Sequence, residues 1–114
     1  MSRQQDVSET IENLIKNNDV VLFLKGTAEE PQCGFSFTIV RILRYLNIKF
    51  QDIDVLTDNE MREGIKSFSD WSTIPQLYIK GDFVGGCDIV KEMFDSGELI
   101  EFLEKKGISF SCEE

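Results

Sequence analysis

Val20-Val21-Leu22-Phe23-Leu24-Lys25-Gly26, followed across a polar loop by Cys33-Gly34-Phe35-Ser36, is the stretch that decides the fold. Its first five residues form an unbroken apolar run of strand formers bounded by Asp19 and Lys25-Gly26, the pattern of a central strand covered on both faces. The loop runs from Gly26 to Gln32 and includes Pro31. After Cys33, the residues Phe37, Ile39, Val40, Ile42, Leu43 and Leu46 make much of a helix apolar, so that helix is expected to be largely buried, with Arg41 and Arg44 reaching outward. A thiol at this strand-to-helix junction faces the unpaired amides and positive dipole end of the helix, which favour the thiolate. Ser36 stands where a dithiol CxxC motif carries its second cysteine. The chemistry therefore either borrows a second thiol or uses the lone thiolate for something other than disulfide exchange.

On the N-terminal side, Asp6-Val7-Ser8-Glu9 offers a capping pair, and Val7, Ile11, Leu14 and Ile15 recur at helical spacing, predicting a helix from about Asp6 to Asn17. On the C-terminal side, Phe50 to Val55 alternates as a short strand, and Thr57-Asp58-Asn59-Glu60 caps a helix carrying Met61, Ile65 and Phe68. Leu77-Tyr78-Ile79 and Asp82-Phe83-Val84 flank Lys80-Gly81 as a hairpin. Two helices follow, one beginning near Asp88 and breaking at Gly97, the other holding Leu99, Ile100, Phe102 and Leu103 and ending at Gly107. Two parallel strands joined by a helical crossover, then a hairpin, make an α/β fold: a four-stranded mixed sheet flanked by about five helices. Residues 1–114 are expected to form one domain, with 1–5 and 109–114 as loose tails.

Net charge of −9 argues against nucleic acid, which needs clustered Lys and Arg, and against acidic membrane surfaces. No stretch has the apolar length of a membrane span, and the first residues lack the apolar core of a signal peptide. Three irregularly spaced cysteines do not read as a disulfide framework and suit a reducing compartment. With no histidine in the chain, a tightly held soft metal would rely on Cys sulfur.

Lys25-Gly26-Thr27, Cys33-Gly34-Phe35-Ser36, Trp71-Ser72-Thr73-Ile74-Pro75-Gln76-Leu77 and Gly85-Gly86-Cys87-Asp88 stand in the order and spacing of the CGFS-type monothiol glutaredoxins, which this chain resembles over almost its whole length. The resemblance implies a thioredoxin-like (glutaredoxin) fold that binds glutathione beside Cys33 and assembles a [2Fe-2S] cluster between two protomers. It implies that Lys25 attracts the glutathione glycine carboxylate or the thiolate, that Arg62 pairs with a glutathione carboxylate, and that Gln32 has a weaker role. By the same resemblance Pro75 is cis, and the backbone of Ile74, between Thr73 and Pro75, pairs with the cysteinyl part of glutathione. Gly86 admits close backbone approach, and Asp88 caps a helix while accepting the γ-glutamyl ammonium. Cys87 reads either as a buried neighbour of the site or as a resolving thiol, Phe35 as a residue able to flank a cluster, and Cys112 as an incidental exposed thiol. Ser72 departs from the family pattern, which more often has proline there, and a slightly looser loop is expected.

Four ligands are needed for such a cluster, and a chain with one exposed thiolate and no His cannot supply them alone. Two copies of Cys33 and two glutathione thiols complete the set, so the expected cluster-bound form is a homodimer held by its cargo. The leading reading is an iron-sulfur cluster carrier acting in cluster biogenesis and redox homeostasis, with BolA-like proteins and apo recipients as partners by resemblance. The alternative is a glutathione-dependent oxidoreductase that reduces protein-glutathione mixed disulfides through Cys33; a third reading is a non-catalytic thioredoxin-like interaction module. The loop over 26–32, with Glu29 and Glu30, is expected to obstruct or repel the second glutathione that an oxidoreductase needs. A cytoplasmic location is expected from Met1 lying close to the first helix, with an organellar matrix as the alternative.

Overall fold

β1 (Val20–Leu24) is buried at every position and lies inside the sheet, parallel to β2 (Gln51–Asp54) on one side and antiparallel to β3 (Gln76–Ile79) on the other. The computed structural model describes the backbone of residues 3–111 and the side chains of residues 7–111. Around these strands are α1 (Arg3–Asn17), α2 (Gly34–Tyr45), α3 (Asn59–Ser69), β4 (Asp82–Gly85), α4 (Cys87–Ser96) and α5 (Glu98–Lys106). The strand order is β2-β1-β3-β4. This is the mixed four-stranded sheet with five helices anticipated from the alternation of elements.

Strand alternation explains why β1 is apolar throughout. Val20, Leu22 and Leu24 join one core with Leu77 and Ile79 of β3, Ile39 and Leu43 of α2, Val90 of α4, and Leu99 and Leu103 of α5. Val21 and Phe23 face the opposite core with Ile11 and Ile15 of α1, Met61 and Ile65 of α3, and Tyr78. Two helical layers thus sandwich the sheet, and an unbroken apolar strand is what such a position requires. At the hairpin, Lys80 (φ 52°) and Gly81 (φ 82°) both take positive φ, as a tight two-residue turn between twisted strands demands.

Element ends differ from expectation in a few places. α1 begins at Arg3, ahead of Asp6, because Arg3, Gln4 and Gln5 are good helix formers. The N-cap of α3 is Asp58, whose Oδ1 accepts the Met61 N–H at 3.1 Å, so the expected cap shifts on by one residue from Thr57. The segment from 109, expected to be loose, is tied down as far as Ser111. Ser111 donates its N–H to the Leu46 carbonyl at 2.9 Å, Asn47 Nδ2 donates to Ser111 O at 3.0 Å, and Phe110 packs on the core. A lone phenylalanine and an asparagine far away in sequence carry no periodicity that could have announced this. The expectation for Cys112 lies outside the described residues.

Candidate functional site

Cys33 is the N-cap of α2, in extended conformation (φ −148°, ψ 156°), and its Sγ accepts the Ser36 N–H at 3.4 Å. The side chain at the missing-cysteine position completes the arrangement. Ser36 is fully buried, its Oγ accepts the Lys25 N–H at 3.1 Å, and the same Oγ lies 3.2 Å from Cys33 Sγ. With the oxygen already serving Lys25, the hydroxyl hydrogen is free to point at the sulfur. Burial pushes the Cys33 thiol up, but the Ser36 hydroxyl, the Ser36 and Phe35 amides and the Lys25 charge together outweigh it and hold the thiol below its ordinary 9.0. Lys25 makes no ion pair among the described residues, so its charge is available to the site.

Cys87 has the opposite environment. Burial first, then the Asp88 carboxylate and the Cys33 sulfur, raise its thiol, and a hydrogen bond with Thr38 and the charge of Lys91 do not offset them. Two free thiols close enough to affect one another are therefore set apart, Cys33 made more acidic than an ordinary thiol and Cys87 less so.

An open cleft of about 410 Å³ gathers Phe35, Thr73, Ile74, Pro75, Gly86, Cys87 and Asp88 from three parts of the chain. The Ile74–Pro75 peptide bond is cis. Gly86, the N-cap of α4, has no side-chain cap and leaves first-turn amides toward the cleft. The helix start is thus at Gly86, and Asp88 sits in the first turn as an exposed carboxylate; the expectation that Asp88 is the cap is corrected. At 86 a Cβ would stand 3.2 Å from Pro75 O and 3.4 Å from Trp71 Nε1, tight against the cleft wall, so glycine keeps that space open. Phe35, 62% exposed, is a free apolar face on the rim.

Lys25, Cys33 and Arg62 are not among the cleft's lining residues. Lys25 and Cys33 are joined to it through Ser36 and Phe35, whereas Arg62 lies half-buried on α3 with its Nε buried and unpartnered. Gln32 is exposed and turns its amide back to the Glu30 carbonyl at 3.2 Å. Glu29 pairs with Arg44 at 3.1 Å. Arg44 lies in the last turn of α2, so the Glu29 carboxylate is paired with a cation from the end of the helix opposite Cys33.

Three residues of the site were not singled out from the sequence. Ser36 was read only as an absent cysteine. Gln76 is fully buried and donates Nε2 to the Trp71 carbonyl at 3.0 Å and the Thr73 carbonyl at 3.2 Å, which braces the cleft wall. Ile89 lines the cleft beside Asp88. A polar residue inside an apolar strand, as in Pro75-Gln76-Leu77-Tyr78, is the one signal that could have drawn attention to Gln76.

Comparison with known proteins places this geometry. The glutaredoxin family model matches residues 20–84. The chain is 60% identical over 94 residues to "Probable monothiol glutaredoxin 2" of Rickettsia typhi, covering 82% of this chain and 85% of that one. It also resembles chloroplastic monothiol glutaredoxin-S14 of Arabidopsis thaliana, 50% identical over 99 residues, which span 87% of this chain and 57% of that protein. Among solved structures, reduced apo GrxS14 of poplar superposes with a TM-score of 0.81 at 46% identity, covering 93% of this chain and 97% of that one. No helix among the described residues is long and apolar enough to cross a membrane. With Cys33-Gly34-Phe35-Ser36 at the head of α2 on a thioredoxin-like sheet, this chain belongs to the glutaredoxin family, in its monothiol CGFS branch.

Proposed function

We propose that this glutaredoxin binds glutathione in the cleft beside Cys33 and, as a pair of protomers, carries a [2Fe-2S] cluster for delivery to apo proteins. The observation that carries the reading is the pairing of one thiol lowered in pKa, Cys33, with a buried serine at the place of the second thiol. Among the described residues no group of three or more His, Cys, Asp or Glu side chains could hold a metal ion. A cluster needs four ligands, so the donor set fits a shared cargo and not a resident centre. Each chain would contribute Cys33, and two glutathione thiols would supply the rest.

In this reading Lys25 and Arg62 supply uncommitted positive charge for glutathione carboxylates, and the Ile74 backbone beside Pro75 pairs with its cysteinyl part. The α4 amides after Gly86 hold the γ-glutamyl carboxylate, and Asp88 accepts its ammonium. Thr73 and Cys87 shape the wall, and Phe35 covers the apolar side of the cargo. BolA-like proteins are proposed partners, and a cytoplasmic setting is proposed, with an organellar matrix, as in the chloroplastic relatives, as the alternative.

The test is anaerobic reconstitution with iron, sulfide and glutathione, followed by absorption spectroscopy and size measurement. A coloured dimer is expected for the native chain and for Cys87→Ser, and none for Cys33→Ser; a colourless monomer of the native chain overturns the proposal.

The depressed Cys33 thiol also favours a second reading, glutathione-dependent reduction of mixed disulfides. There the Cys33 thiolate attacks the glutathione sulfur, the protein thiolate leaves, and a second glutathione regenerates Cys33 as glutathione disulfide forms. Steady-state turnover of a small mixed disulfide at rates typical of dithiol glutaredoxins would put this reading first.

A further inference from the structure

Asp54 lies on β2, outside the cleft, yet it is bonded into the backbone that carries the thiol's support. Its Oδ1 accepts the Gly26 N–H at 3.0 Å and the Leu56 N–H at 2.9 Å. Two residues back on the same strand face, Asp52 Oδ2 accepts the Ala28 N–H at 2.7 Å. The intervening Ile53 turns to the opposite core, so the period of the strand sets both carboxylates under the loop that precedes Cys33.

That loop closes on Lys25. Gln32 N–H donates to the Lys25 carbonyl at 2.8 Å, and Thr27 N–H donates to the Glu30 carbonyl at 3.2 Å. Gly26, at φ +92°, has room for no side chain, since a Cβ would stand 2.5 Å from Glu30 O. Consecutive amides therefore have partners on different elements: Lys25 N–H holds the Ser36 hydroxyl, and Gly26 N–H holds Asp54. Movement of residues 25 and 26 away from β2 would withdraw the donor that orients Ser36 toward Cys33.

We propose that Asp54, supported by Asp52, is a positioning residue for the Cys33 thiol: its carboxylate pins Gly26 to β2 so that the Lys25 amide keeps the Ser36 hydroxyl aimed at the sulfur. The proposal rests on these hydrogen bonds, with the one reading taken over that Cys33 is the reactive thiol. A direct electrostatic role for Asp54 predicts the opposite sign. A negative charge near a thiolate raises its pKa, so removing that charge would make Cys33 more acidic, whereas removing the pin makes it less acidic.

The experiment is alkylation of Cys33 in the full-length apo protein by iodoacetamide, followed by mass spectrometry of its peptide across pH, with circular dichroism of each variant. Asp54→Ala is expected to move the Cys33 titration upward and slow alkylation at neutral pH by up to about threefold, the largest loss of thiolate fraction that an upward shift of about half a unit brings. Asp54→Asn, which keeps an acceptor oxygen without the charge, is expected to restore the native titration. Native or lowered titration in Asp54→Ala overturns the proposal, as does failure of Asp54→Asn to restore it. Should Asp54→Ala not fold, Asp52→Ala carries the same test through the Ala28 anchor, with an upward shift supporting the proposal and an unchanged titration overturning it. An ordinary titration of Cys33 in the native chain would instead sink the thiolate reading, and because the readout uses apo protein, failed cluster assembly leaves this result standing.

Discussion

Ser36 Oγ lies 3.2 Å from Cys33 Sγ while accepting the Lys25 amide, so the serine at the place of a second thiol is a hydrogen-bonding partner of the first. The Ser36→Ala substitution separates its two roles. It leaves the Lys25 N–H without its acceptor, at a cost of ~1–3 kcal/mol for a buried donor, and it removes a hydrogen bond from the thiolate. Urea denaturation is expected to show the stability loss, and alkylation of Cys33 at neutral pH is expected to slow several-fold.

The two thiols carry opposite pH dependences. Cys33 is lowered in the fold, so the stability it contributes is present above the unfolded thiol value of 9.0 and is lost as pH falls through its folded value. Cys87 is raised, so its contribution is present below 9.0 and is lost as pH rises through its folded value. Peptide-resolved alkylation is expected to favour Cys33 strongly at neutral pH. The ratio should fall toward one above pH 9.0 as Cys87 ionises; equal rates at neutral pH would contradict this.

Neighbouring glycines are expected to fail differently. Gly85 has φ +147°, and a Cβ there would meet Ile89 side-chain atoms at 2.9 Å, so Gly85→Ala should cost ~1–3 kcal/mol in thermal denaturation. Gly86 lacks positive φ and its Cβ would be only tight against Pro75 O and Trp71 Nε1, so Gly86→Ala should keep most of its stability. It is expected to weaken glutathione binding several-fold by calorimetric titration.

Gln76→Leu tests the brace behind the cleft wall. The Trp71 and Thr73 carbonyls lose their shared donor, and a stability loss of ~1–3 kcal/mol is expected. Glutathione affinity should fall with it, although Gln76 does not line the cleft; unchanged affinity would show that the 71–73 segment holds its shape alone.

Much of this was legible before any fold was known. Val20 to Leu24 is apolar at every residue because both its faces are covered, and Lys80-Gly81 marks the β3–β4 hairpin because that turn requires positive φ twice. Cys33, Thr73, Ile74, Pro75, Gly86, Cys87 and Asp88 are local motif residues, and all but Cys33 line one cleft. The cap of α4 falls at Gly86 and not at Asp88, and the anchoring of Phe110 and Ser111 was missed because it depends on partners far along the chain. Ser36 and Gln76 escaped notice for the same reason: a buried polar side chain is explained only by what it bonds to, and those groups are the amide of Lys25 and the carbonyls of Trp71 and Thr73.

The amino-acid sequence by itself determined the order of elements, the two-faced burial of the central strand and the lone cysteine at the head of a helix, because periodicity and turn chemistry are local. Tertiary structure decided which thiol is acidic. Cys33 and Cys87 are the same residue type beside the start of a helix, but only Cys33 has Ser36, held by Lys25 on a loop pinned to Asp52 and Asp54, to stabilise its charge. That difference is made of hydrogen bonds between segments distant in the chain, and no spacing along the chain encodes them.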